Sequence, residues 1–131
     1  MGAWGIGSFD NDDALDWVIE LEAADDSTIL DAAFNTILDD TTQYLDASDC
    51  CSAIAAAEVV AALRGKADDA LPDSVQDWVN AHPAIDDTLT ARARQALASI
   101  LKVSELKELW EEVDEYDQWL AAVNGLIGRL R

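Results

Sequence analysis

Apolar residues recur along this chain at spacings of three and four, and strict two-residue alternation is never sustained. That period belongs to helices with one buried face. The first such stretch runs from about Asn11 to Glu22, with Leu15, Trp17, Val18 and Leu21 directed inward and Asp13, Asp16 and Glu20 on the wet face. Asp10 is its expected N-cap, and Asp13 three residues later stands close to capping-box spacing. A second helix, capped by Asp26 or Ser27, extends to about Leu45 through Leu30, Phe34, Ile37 and Leu38. A third, capped by Ser48 or Asp49, ends at Arg64 with Gly65 beyond it as the residue that leaves the helix. Between Ala53 and Leu63 only Glu58 is polar. A helix apolar nearly all round is a central one, and its alanines let neighbours come close.

The second half continues the pattern. Pro72 suits a helix start, so a short helix over 73–81 buries Val75, Trp78 and Val79, and Pro83 stops it. A fifth helix begins at Asp86 or Asp87 and carries Leu89, Ala93, Ala96, Leu97 and Ile100 on one face. A sixth is capped by Ser104 and runs through Leu106, Leu109, Val113, Tyr116, Leu120 and Val123. Asn124-Gly125 ends or weakens it before Leu126–Leu130. Trp110 belongs beside this stripe and Trp119 at its edge. The predicted fold is therefore all-α: one domain over residues 1–131, five or six helices around an Ala-rich central helix. The opening Gly2-Ala3-Trp4-Gly5-Ile6-Gly7-Ser8-Phe9 is non-helical, a glycine-rich N-terminal clasp.

Charge narrows the function classes. The chain holds 27 Asp and Glu against 8 Lys and Arg, a net charge of −19. Nucleic-acid binding and adhesion to anionic membranes both need a basic surface, so neither is expected. The first basic residue is Arg64; residues 1–63 carry 14 acidic groups alone, while residues 64–131 carry 13 beside 8 basic ones. Such a surface suits either adaptation to salt or a face for a basic protein partner. No run of about 18 apolar residues offers a membrane span, and residues 1–9 lack the basic start and apolar stretch of a secretory signal. Cys50 and Cys51 are adjacent and have no third cysteine to pair with, so a reducing cytoplasm is expected.

The candidate chemistry gathers at the N-terminus. Trp4, Phe9 and Trp17 stand around the acidic turn Asp10-Asn11-Asp12-Asp13, with Asp16 one turn further on. As a binding loop, this segment would use its glycines for close backbone approach and its carboxylates to hold a cation or a basic group. As a clasp, Trp4 and Phe9 plug the core while Asp10 caps the helix. The clasp is the stronger reading, because each residue type there has a structural task. A calcium loop starting at Asp10 would need Gly at position 15 and Glu at position 21, where Leu15 and Leu21 stand. His82 is the only histidine, which leaves no di-iron motif and no metal or catalytic set. Gly5-Ile6-Gly7 lacks the third glycine of a dinucleotide loop, and no cofactor is expected.

The stretch Met1-Gly2-Ala3-Trp4-Gly5-Ile6-Gly7-Ser8-Phe9-Asp10-Asn11-Asp12-Asp13, followed by Asp16-Trp17, resembles the start of a bacterial family of unknown function. Its members open Met-Gly-x-Trp-Gly-x-Gly-x-Phe-Asp-Asn-Asp. Ser104-Glu105-Leu106, Glu108-Leu109-Trp110, Glu112, Trp119, Val123, Leu126, Arg129 and Leu130 are similar to its tail. The resemblance implies a small cytoplasmic protein and brings no activity or catalytic residues. The function expected is a non-catalytic protein-binding module, with an inhibitor of a basic partner among the roles the charge suits. The alternative is a carboxylate-based, metal-assisted enzyme at the Asp10–Asp16 turn.

Overall fold

The computed structural model describes residues 5–39, 44–82 and 86–131. Among these, seven helices form: α1 (Asp12–Glu22), α2 (Thr28–Leu38), α3 (Ala47–Leu63), α4 (Asp73–Ala81), α5 (Asp87–Lys102), α6 (Glu105–Glu111) and α7 (Tyr116–Arg129). The only bridge of strand type among the described residues joins Leu45 to Ser104. The all-α expectation holds. The helix number exceeds the expected five or six, and one break accounts for it.

The Ala-rich helix α3 is the axis. It packs against all six other helices, which meet one another chiefly as α2 with α5 and α1 with α4, while α5, α6 and α7 touch one another more lightly. Ala53, Ala55, Ala56, Ala57 and Ala61 are fully buried along it. Side chains of one carbon are what let six neighbours approach a single helix. Its start is capped by Asp46, whose side chain accepts from the Ser48 amide at 2.8 Å. The cap thus lies two residues ahead of the sequence expectation. Its end is a Schellman turn: Gly65 adopts φ 81°, its amide donates to the Ala62 carbonyl, and the Lys66 amide donates to that of Ala61.

The break falls between α6 and α7. Trp110 and Trp119 are nine residues apart, which on one continuous helix places them about 180° apart, on opposite faces. Ending α6 at Glu111 and restarting at Tyr116 lets both bury, with their rings stacked at 6.0 Å and 10°. Three acidic residues, Glu112, Asp114 and Glu115, occupy the break, where they face water. Asn124-Gly125 does not interrupt α7. In turn, α2 stops at Leu38, and the stretch to Leu45 that the apolar stripe had suggested is not helical where it is described. Leu45 is instead buried in extended chain, and its carbonyl accepts from the Glu105 amide at 2.9 Å. The Glu105 carboxylate accepts from the Ala47 amide at 2.9 Å. These two bonds tie the start of α3 to the start of α6.

Candidate functional site

The segment from Gly5 to Asn11 folds back across the bundle between α3, α6 and α7. Phe9 is buried, and Ile6 packs against the core. A tight turn sets its shape: the Asp10 amide donates to the Gly7 carbonyl, and the Gly7 amide donates to Asp10 Oδ2, both at 3.1 Å. A Cβ added at Gly5 or Gly7 would lie 2.6 Å from that same Oδ2. The glycines are therefore required by the carboxylate folded over them. Unusual backbone angles are not the reason, since Gly65 is the one described glycine with positive φ.

Asp10 is thus occupied in the turn, and the N-cap of α1 is Asn11, whose Oδ1 accepts from the Ala14 amide at 2.7 Å. The difference from the expected Asp10 cap is one residue. Asp12 and Asp16 are exposed on the outer face of α1, whereas Asp13 is half-buried at the edge of its buried stripe. Leu15, expected inside, is 39% exposed, and Ile19 is 65% exposed. The helix is rotated relative to expectation, so that Ala14, Trp17, Val18 and Leu21 form its buried stripe. Trp4 lies outside the described residues.

Behind the N-terminal segment is a cavity of about 100 Å³. Its wall is mostly apolar, with Ile54 and Cys51 of α3, Leu106 and Trp110 of α6, and Trp119 and Val123 of α7. Three polar side chains border it: Ser8, Asn11 and Asp13. Asn11 is engaged in its cap, and Ser8 Oγ donates to Glu58 Oε2 at 2.6 Å. Of the six candidate residues from the sequence, the fold brings Asn11 and Asp13 to this cavity. It holds Asp10 in the turn beside it and turns Asp12 and Asp16 outward.

Glu58, the lone charge in the apolar run of α3, is 2% exposed. It receives two bonds from the Arg129 guanidinium, at 2.8 and 3.2 Å, besides the Ser8 hydroxyl. Arg129 Nη1 also donates to the Lys66 carbonyl at 3.2 Å. Pairing with Glu58 raises the Arg129 pKa further, so the guanidinium stays charged. This cluster fastens the N-terminal segment and α7 to the central helix. The signal for it in the sequence is Glu58 itself, because a charge within an apolar helix needs a partner.

The thiols of Cys50 and Cys51 are free and buried, and burial pushes each up to about 12. The carboxylates of Asp13 and Asp46 add to the rise at Cys51. Both thiols are therefore neutral and poor nucleophiles. His82 stacks on Trp78 with ring centroids 4.3 Å apart, and its Nδ1 lies 2.9 Å from the Trp78 carbonyl, so it closes α4. Among the described residues, no group of three or more His, Cys, Asp or Glu side chains is arranged to hold a metal ion. No helix among them is long and apolar enough to cross a membrane.

These features define a class: an acidic, all-helical protein built on a buried alanine-rich axis, with a small cavity beneath its N-terminal segment. Residues 2–122 match the family described as a domain of unknown function (DUF4259), and the chain belongs to that family. No curated protein matches the chain, and no solved structure does.

Proposed function

We propose that this protein is a non-catalytic binding module that docks a basic protein through the outer face of α1. The observation that carries this reading is the composition of that face. Leu15 and Ile19, four residues apart, are exposed beside Asp12, Asp16 and Glu20, which are also spaced by four. Residues at that spacing share a helix face. Exposed aliphatic side chains within an acidic rim are what a partner with an apolar centre and a basic rim requires. The net charge of −19 would speed encounter with such a partner. Inhibition of that partner is one role such docking could serve. We take the compartment to be the cytoplasm, where free thiols such as Cys50 and Cys51 persist.

A carboxylate-based reaction at the Asp10–Asp16 turn is less well supported. General acid–base work on one substrate needs its groups to converge on one place. Here Asp13 alone among the turn's carboxylates lines the cavity, while Asp10 is bonded to Gly7 and Asp12 and Asp16 face outward.

The test compares the immobilised protein with an Asp16→Lys, Ile19→Asp variant as baits for proteins of the native host. Both substitutions are at exposed positions, so circular dichroism should be unchanged. The reading expects a basic protein that the parent retains at low salt, the variant does not, and that re-forms a stoichiometric complex when purified. Equal retention by both baits would contradict it.

A further inference from the structure

We propose that the cavity beneath the N-terminal segment binds a small alkylammonium ion, its charge against Asp13 and its chain against Trp110, Trp119 and Leu106. The site is separate from the exposed aliphatic pair of α1, since Asp13 is half-buried and lines the cavity, whereas Leu15, Asp16 and Ile19 are exposed and do not line it. Ser8 and Asn11 are each engaged by bonds within the protein. Asp13 is the remaining polar side chain on the wall, and it has no hydrogen-bond or ion-pair partner among the described residues. No Lys or Arg lines the cavity. A half-buried carboxylate beside apolar wall gains most from a cationic donor that it meets out of bulk water. The ammonium can also lie near the indole faces, which attract cations.

The local field has the sign a cation needs. The cavity-lining thiol of Cys51 is held protonated partly by the negative charges of Asp13 and Asp46. Two helix N-termini border the space, those of α1 and α3, and ordinarily these would favour an anion. Both are already capped by side chains of the protein, Asn11 on α1 and Asp46 with Glu105 on α3. Size sets the chain length. An apolar cavity of about 150 Å³ accommodates benzene, so about 100 Å³ suits a chain of about four carbons. That chemistry has two sources, a free amine or the side chain of a lysine in another protein.

The probe is n-butylammonium, titrated by calorimetry and followed through the indole N–H resonances of Trp110 and Trp119. Binding is expected to shift both resonances and to weaken at least tenfold for n-butanol, which keeps the chain and lacks the charge. Asp13→Asn should weaken n-butylammonium at least tenfold. Cys51→Leu, which fills the cavity from its α3 wall, should abolish binding and leave the helical signal intact. If Cys51→Leu fails to fold, the Asp13→Asn comparison carries the test. Titration with a lysine blocked at both its amino and carboxyl ends separates the sources. Binding as tight as that of n-butylammonium identifies a protein lysine, and much weaker binding identifies a free amine. No binding of n-butylammonium, equal binding of n-butanol, or full affinity in Asp13→Asn would overturn the proposal.

Discussion

Glu58 is the residue on which the most elements depend, since its carboxylate holds Ser8 of the N-terminal segment and Arg129 of α7 against α3. Removing one member of a buried pair strands the other. Here the Arg129 side chain remains 29% exposed, so water recovers part of the loss. Glu58→Ala is expected to cost about 2–3 kcal/mol, below the 3–5 of a fully buried pair. Glu58→Gln, which keeps a hydrogen-bonding group in place, should cost less than Glu58→Ala. Urea denaturation of the three proteins measures this, and equal stability of all three would show the cluster to be incidental. The cysteines give a second expectation. Their thiols titrate near 9.0 when unfolded and near 12 when buried. The folded state therefore retains protons that the unfolded state has lost, and stability falls as pH rises from about 9 to about 12. Below about 9 this contribution is fully present. A Cys50→Ala, Cys51→Ala protein should lose stability less steeply over that range, as measured by urea melts at successive pH values. A thiol reagent at pH 8 should label the parent only on unfolding.

Among the elements, α7 offers a direct improvement. Gly125 lies inside the helix, is exposed, and a Cβ there would meet nothing within 4 Å. Glycine in a helix interior is less favourable than alanine by about 0.8–1 kcal/mol. Gly125→Ala is expected to stabilise by about that much, seen as a raised denaturation midpoint; a lowered midpoint would mean that α7 needs flexibility there. The helices themselves were legible from local patterns where one face alone was buried. The spans of α4 and α5 agree with the apolar stripes and with Pro72 and Asp86 at their starts. The misreadings share a cause, which is that caps and breaks are decided by partners distant in sequence. Asn11 caps α1 because Asp10 is drawn back onto Gly7. Asp46 caps α3 next to a chain segment held by Glu105. The gap between α6 and α7 exists because two tryptophans on opposite faces must reach one core. Of the candidate site, the acidic turn was visible in sequence. Which carboxylates turn inward was not, because that depends on how α1 rotates against α3 and α4.

At the scale of the whole molecule, charge and packing are segregated. The core is built from aliphatic, aromatic and alanine side chains around one buried carboxylate. The described residues show three ion pairs, Arg92 with Asp31 and Lys107 with Glu111 at the surface and Arg129 with the buried Glu58, against 27 acidic residues in the chain. Most of the negative charge is thus available to an external field, and on α1 it surrounds exposed aliphatic side chains. The central claim, that this face docks a basic protein, is tested most directly by a photo-crosslinking side chain placed at Ile19 in the native host, with the same group at exposed Ala98 on α5 as control. The account predicts a discrete adduct with a basic protein from position 19 that is absent from position 98 and is lost when Asp16→Lys is added. No adduct from position 19, or the same adducts from both positions, would contradict it.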